Sequence, residues 1–141
     1  MIKVYIAAPW SAKAEALEAK KKFEAGGFEV TSRWIERDTP KDIGDRYLKG
    51  VLLPEDIPFL QEEAYNDLDD VLESEVFVLL NLGKSEGKAT EFGVAYVAQM
   101  PIIIVGSRVG NIFYQLPEIV ETETVEEAMA LLTFEGDDEQ I

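Results

Sequence analysis

Apolar residues recur along the chain in short blocks that alternate between strand-like and helix-like spacing. Residues 2–8 form an apolar run that ends at Pro9, and residues 11–25 carry apolar positions at helical spacing until Gly26 and Gly27. This pattern predicts a strand followed by a helix. The alternation continues with predicted strands at 28–34, 76–80, 102–106 and, weakly, 119–121, and with predicted helices at 55–74, 89–98 and 124–133.

Five strand and helix steps of this kind are typical of a parallel sheet that is covered by helices on both faces. The length of 141 residues fits one α/β domain, which we assign to residues 1–135. Residues 136–141 are interpreted as a solvated acidic tail, and residues 39–45 as an irregular surface loop.

Charge and composition exclude several classes of function. The chain has 13 Lys and Arg against 28 Asp and Glu, a formal charge of −15, so its field repels nucleic acid and anionic membranes. It has no Cys and no His, which excludes thiolate and imidazole metal sites and His-based triads. The first apolar run is too short for a signal peptide, and no stretch approaches the ~20 apolar residues of a membrane span. We therefore expect a cytoplasmic protein without a metal, a nucleic-acid partner or a membrane.

The turns after the first and third strands are the first places to look for a ligand site. In an open parallel sheet, ligands lie beyond the carboxyl ends of the strands, at the point where the strand order reverses. The turn at 81–90 contains Gly83 and Gly87, which let the backbone approach a ligand closely, and the helix that follows presents free N–H groups.

Two acidic residues break the pattern of their helices. Glu91 projects into the apolar face of the helix at 89–98, and Asp67 projects into the apolar stripe of the helix at 55–74. Glu91 could simply be an acid that the macrodipole favours in a first helical turn, and Asp67 could form a buried ion pair with Lys or Arg. The alternative is functional. A helix N-terminus keeps Glu91 ionised as a nucleophile, while apolar surroundings raise the pKa of Asp67 toward that of a proton donor, the pair needed to cleave a glycosidic bond.

Four sequence blocks carry a resemblance to a known family. They are the segment Lys3 to Trp10, Asn66-Asp67-Leu68, the segment Gly87 to Ala95 with its Glu-Phe-Gly-Val-Ala core, and the segment Gly106 to Tyr114. In this order they resemble the nucleoside 2-deoxyribosyltransferases and the related 2′-deoxynucleoside 5′-monophosphate N-glycosidases.

The resemblance implies a flavodoxin-like, doubly wound fold and a role for each matched residue. Glu91 is similar to the nucleophile that attacks the anomeric carbon C1′ and forms a deoxyribosyl ester. Asp67 is similar to the acid/base that handles the nucleobase nitrogen, and Tyr5 to the hydroxyl that orients the nucleophile. Trp10 resembles an aromatic wall against the base, and Trp34 is a candidate for a second wall. Ordinary core packing is the alternative for Tyr5 and Trp10.

The same resemblance leaves the substrate open. Ser85 stands where the transferases usually carry an acid for the 5′-hydroxyl, and it is similar to a serine that faces phosphate in the monophosphate hydrolases. Asn111 resembles a residue that enters the neighbouring subunit's site, which implies a homodimer or higher homo-oligomer with shared active sites. We expect no cofactor and a deoxynucleoside or deoxynucleotide substrate. Transfer to a second nucleobase is the first expectation, monophosphate hydrolysis the second, and a non-catalytic nucleotide-binding module the third.

Overall fold

Five parallel strands form a single sheet in the computed structural model, which describes residues 1–139. The strands are β1 (Lys3–Ala7), β2 (Glu29–Val30), β3 (Val76–Leu80), β4 (Ile102–Val105) and β5 (Val120–Thr122). The α-helices are α1 (Lys13–Ala25), α2 (Lys41–Leu48), α3 (Ile57–Glu73), α4 (Glu86–Val97) and α5 (Val125–Glu139). The strand order is β2-β1-β3-β4-β5 with every pairing parallel, so the predicted doubly wound, flavodoxin-like α/β fold is confirmed.

Helices cover both faces of the sheet, as the apolar strands require. Helices α1 and α5 pack together on one face, and α3 and α4 pack together on the other. All five residues of β3 are buried, and Val78 and Leu79 are completely inaccessible. Each such side chain stabilises the fold by about 1.5–3 kcal/mol. Among the described residues, no helix is both long and apolar enough to cross a membrane.

Strand β2 is shorter than the predicted strand at 28–34, because side-chain hydrogen bonds replace the backbone ladder after Thr31, whose amide donates to the Val4 carbonyl at 2.9 Å. The Ser32 hydroxyl accepts a hydrogen bond from the Ile6 amide at 2.6 Å, and the Arg33 amide donates to Asp70 at 3.0 Å. With these backbone donors satisfied, residues 33–36 turn into a short 3-10 helix instead of extending the strand. This turn brings Trp34 back over β1, where its indole N–H donates to the Ile6 carbonyl at 2.9 Å.

The prediction of an irregular loop at 39–45 is wrong from residue 41 onward, because helix α2 begins there. Pro40 precedes the first helical residue, a position where its missing N–H costs nothing, and the Gly44 amide donates back to the Pro40 carbonyl at 3.0 Å. Gly44 is buried, and a Cβ atom there would lie 3.0 Å from Cη2 of Trp10. The glycine that suggested a loop is therefore a site of close packing within a helix.

The ends of α4 and α5 also differ from the predicted ones. Helix α4 begins at Glu86, three residues early, because the Ser85 hydroxyl caps it by accepting from the Lys88 amide at 3.2 Å. Glu91 consequently lies in the second turn of α4 and not in its first. Helix α5 continues to Glu139, so it includes the beginning of the predicted tail, while residues 140–141 lie outside the described residues.

Candidate active site

A cavity of about 290 Å³ opens at the carboxyl ends of β1 and β3, where the chain switches from one side of the sheet to the other. It is bounded by the segments that follow β1 and β2 and by helices α2, α3 and α4. The structure brings six of the predicted site residues to this cavity: Trp10, Trp34, Asp67, Ser85, Gly87 and Glu91.

Glu91 reaches the cavity from α4 and is held from below by Tyr5. The Tyr5 hydroxyl donates a hydrogen bond to Oε2 of Glu91. Tyr5 is fully buried in β1, and its ring stacks on Phe77 with the ring centres 5.6 Å apart. Burial, with the neighbouring Glu91 charge, raises the pKa of Tyr5 well above its ordinary value. The hydroxyl therefore stays protonated and fixes one oxygen of Glu91, while the other oxygen accepts no hydrogen bond from the described part of the chain.

Asp67 reaches the same cavity from α3, one helical turn after Glu63. Arg37, which follows the 3-10 helix at 33–36, lies between the two acids. Its Nη1 atom is 2.7 Å from Oε2 of Glu63 and 3.5 Å from Oδ1 of Asp67. The ion pair considered as an alternative role for Asp67 thus exists, and the cavity exists beside it.

The protonation order of the two acids is the reverse of the predicted one. Burial raises the pKa of Glu91 to about 8, against the lowering effect of the Tyr5 hydrogen bond. Burial also raises the pKa of Asp67, but only to about 6, because the positive charge of Arg37 opposes the rise. The helix N-terminus does not keep Glu91 ionised, since the early start of α4 removes this residue from the first turn.

Aromatic side chains form much of the cavity wall. Trp10 packs edge-to-face with Tyr47 of α2 at a centroid distance of 6.3 Å, and both line the cavity. Trp34 is buried, and its N–H is already engaged with Ile6, so it presents an apolar ring surface. Phe59 of α3 adds a further ring. Such a slot accepts a flat heterocycle by stacking and apolar contact.

The N-terminus of α4 forms the polar end of the cavity. Ser85 caps the helix, and Gly87 leaves its first turn open, because a Cβ there would meet no atom closer than 3.8 Å. Lys88 also lines the cavity but is buried, and its ammonium group donates to Oδ1 of Asn81 at 2.9 Å and to the Gly83 carbonyl at 2.5 Å. Burial lowers the pKa of Lys88. The ammonium group of Lys88 therefore binds the turn after β3 and does not point to a ligand in the cavity.

Asn111 lies apart from this cavity. It lines a second cavity of about 400 Å³ on the far side of Ser85 and Lys88. Its Oδ1 atom accepts from the Phe113 amide at 2.9 Å and caps a short 3-10 helix at 112–115. Within one subunit, Asn111 is not part of the lining around Glu91.

Sequence reasoning missed Arg37, Glu63 and the wall contributed by α2. Glu63 could have been found, because the spacing i, i+4 places it on the same helical face as Asp67. Arg37 carries no comparable signal, because its approach depends on how the chain turns after β2. No group of three or more Asp and Glu residues in the described part of the chain is arranged to hold a metal ion.

The fold and the cavity define a flavodoxin-like α/β protein with three acidic side chains, Glu63, Asp67 and Glu91, around the cavity at its switch point. No protein-family model matches the sequence, and no curated protein matches it. Among solved structures, the chain is similar to the CMP N-glycosidase BcmB of Clostridium botulinum, with 15% sequence identity and a TM-score of 0.52. The similarity covers 94% of this chain and 98% of the other, and at this identity it establishes the shared fold.

Proposed function

We propose that this protein cleaves the N-glycosidic bond of 2′-deoxyribonucleosides and transfers the deoxyribosyl group to another nucleobase through an ester on Glu91. One observation carries the proposal: Glu91 and Asp67, from two different helices, line a single cavity, with the Tyr5 hydroxyl bound to Glu91. A carboxylate nucleophile and a carboxylic acid on the two sides of a bond are the groups that glycosidic cleavage requires.

The proposed reaction uses the side chains of this chain alone. The ionised Glu91 attacks C1′ and forms the ester bond, while the C1′–N bond breaks and its electron pair moves to the base nitrogen. Asp67 gives its proton to that nitrogen, and the free base leaves. An acceptor base then attacks C1′, its proton passes to Asp67, and Glu91 is released as a carboxylate. No redox step occurs and no cofactor is consumed.

The cavity also suits the two parts of a nucleoside. The rings of Trp10, Trp34, Tyr47 and Phe59 offer an apolar slot for the base. Glu63, Asp67 and Glu91 make the lining acidic. Lys88 is the one basic side chain among the described lining residues, and it is bound to Asn81 and Gly83. This electrostatic balance favours a neutral substrate over a phosphorylated one. The fold likeness to an N-glycosidase supports the same class of bond cleavage.

Hydrolysis of 2′-deoxynucleoside 5′-monophosphates is the second candidate. The observation that favours it is Ser85 at the N-terminus of α4, where free amides attract an anion. The name of the similar structure, a CMP N-glycosidase, agrees with a nucleotide substrate. In this version water replaces the acceptor base at the Glu91 ester.

Two parallel assays separate the candidates. Deoxynucleosides with a free acceptor base should give a new nucleoside if the protein is a transferase. Deoxynucleoside 5′-monophosphates without an acceptor should give free base and deoxyribose 5-phosphate if it is a hydrolase. Binding without turnover in either assay would indicate a nucleotide-binding module and contradict both.

The Glu91→Gln variant tests the covalent step in whichever assay is active. Turnover should fall by at least about 10³-fold, because the variant lacks the nucleophile itself. The matched control is Glu86→Gln, which removes an exposed acid from the first turn of the same helix and should leave turnover unchanged.

A further inference from the structure

Arg37 is shared unequally between two acids of helix α3. Its Nη1 atom lies 2.7 Å from Glu63 and 3.5 Å from Asp67. The side chains of Arg37 and Glu63 are 18% and 21% exposed, so water screens this contact little. Nη1 and Nη2 of Arg37, Oε1 of Glu63 and Oδ1 of Asp67 are buried, and none has a hydrogen-bond partner of good geometry among the described residues, so Arg37 is held by charge and distance. The group is thus a tight pair of Arg37 with Glu63 and a looser contact with Asp67.

Both acids face Arg37 from α3, and a contact from a third element holds the Arg37 backbone. Glu63 and Asp67 are four residues apart on α3, so they occupy the same helical face. Lys13 of α1 donates its ammonium hydrogen to the Arg37 carbonyl, which anchors the arginine backbone from another element. Arg37 cannot approach Asp67 fully without leaving Glu63 as an unpaired, largely buried carboxylate.

We infer that Glu63 and Arg37 act together as positioning residues for Asp67, with Glu63 holding the guanidinium away from the Asp67 carboxyl so that this carboxyl can carry a proton. The inference rests on the proposed function only in giving Asp67 the role of acid/base. With Arg37 alone, Asp67 would be locked as a carboxylate. With neither Arg37 nor Glu63, Asp67 would lack the nearby positive charge that lowers its pKa and allows it to release the proton again.

Several titratable groups face Asp67 and must be considered together. They are Arg37 after β2, Glu63 and Asp70 on α3, Glu91 on α4 and the Tyr5 hydroxyl on β1. Asp70 is already paired with Arg33 at 2.9 Å, and Tyr5 stays protonated. The pKa of Glu91, raised to about 8, is close enough to that of Asp67, at about 6, for the two titrations to be coupled.

The test is a carbon-13 NMR titration of the Asp67 carboxyl in the full chain, in the Glu91→Gln background, where the overlap is removed. Glu63→Gln should lower the pKa of Asp67 from about 6 by about one unit or more, because Arg37 then approaches Asp67. Arg37→Gln should raise it. Glu62→Gln is the matched control, since it removes the adjacent exposed acid and should leave the titration unchanged.

Opposite shifts from the two variants support the inference, because mere loosening of the fold would move Asp67 in the same direction in both. Shifts of the same sign, or no shift, would overturn it. If a variant fails to fold, Glu63→Asp and Arg37→Lys keep the charges and should give smaller shifts of the same opposite signs.

Activity provides a separate readout. In enzyme with Glu91 intact, Glu63→Gln should move the acid limb of the kcat/KM profile to lower pH and reduce its maximum about tenfold per pKa unit. An inactive wild-type protein would contradict the proposed function, but the NMR titration would still test the inference, because it does not depend on activity. Full activity with an unmoved Asp67 titration would contradict the inference alone.

Discussion

At the residue scale, the feature that matters most is the order in which Glu91 and Asp67 take up protons. Glu91, with a pKa of about 8, is the stronger base, and Asp67, at about 6, is the weaker one. Near neutral pH the single shared proton therefore lies mainly on Glu91. In the proposed reaction, the reactive form has the proton on Asp67, and with these pKa values it is a minority of the free protein. Any group that makes Asp67 more basic, such as Glu63, enlarges that minority.

This order of protonation predicts that activity falls at both low and high pH. Below about pH 6 both acids are protonated and Glu91 cannot attack, and above about pH 8 both are ionised and no proton is left for the base. We expect kcat/KM to follow a bell centred near pH 7, measured with a deoxynucleoside and an acceptor base. Asp67→Asn should lower the maximum by about 10²–10⁴-fold and abolish the alkaline decline.

The matched control for this profile is Asp69→Asn on the exposed side of the same helix, which should keep the bell unchanged. A wild-type profile that rises steadily beyond pH 9 would rule out a proton on Asp67 as a requirement for the reaction.

At the element scale, most of the fold was predictable and the wall of the cavity was not. Strand β3 was predicted with its observed ends, because an uninterrupted apolar block of five residues is typical of a strand that is buried on both faces of a parallel sheet. Helix α2 was missed, because Pro40 and Gly44 indicate a turn in isolation and reveal their packing role only against Trp10. The start of α4 was missed because a single serine cap extends the helix by three residues.

The contact of α2 with Trp10 leads to a prediction for Gly44. In Gly44→Ala the new methyl group would lie 3.0 Å from Cη2 of Trp10, so Trp10 or the helix must shift and the base slot must change shape. We expect KM for the nucleoside to rise about three- to tenfold with a smaller change in kcat, measured by initial rates.

Gly93→Ala is the matched control for this substitution. Gly93 is an exposed glycine within helix α4, and a Cβ there would meet no atom within 4 Å. This variant should gain up to about 1 kcal/mol in the free energy of unfolding with KM unchanged. Equal KM values for both variants would show that α2 does not shape the binding slot.

At the scale of the whole molecule, the predicted switch point between β1 and β3 is where the cavity lies, since chain topology alone determines that position. Asn111 remains a prediction, because its suggested role involves a second subunit. It is flanked by Val109, Ile112 and Phe113, whose side chains are 71%, 78% and 57% exposed. These apolar residues support the proposal that this segment contacts a second copy of the chain.

A complementation experiment tests the shared site. Glu91→Gln and Asn111→Ala should each be weakly active alone, and a mixture refolded together should recover up to about a quarter of the wild-type activity, because one site of each mixed dimer is intact. Since each chain carries a net charge of −15, sedimentation velocity should also show tighter association as salt increases. A monomer at every salt concentration, with full activity, would refute the shared site.

The most direct test of the account is the mass of the protein during turnover. After rapid acid quenching of the protein with a deoxynucleoside and no acceptor, intact mass spectrometry should detect one added deoxyribosyl group. Peptide mapping should assign it to Glu91, and Glu91→Gln should carry none. An active protein with no adduct at Glu91, or a Glu91→Gln variant that turns over at the wild-type rate, would contradict the covalent mechanism.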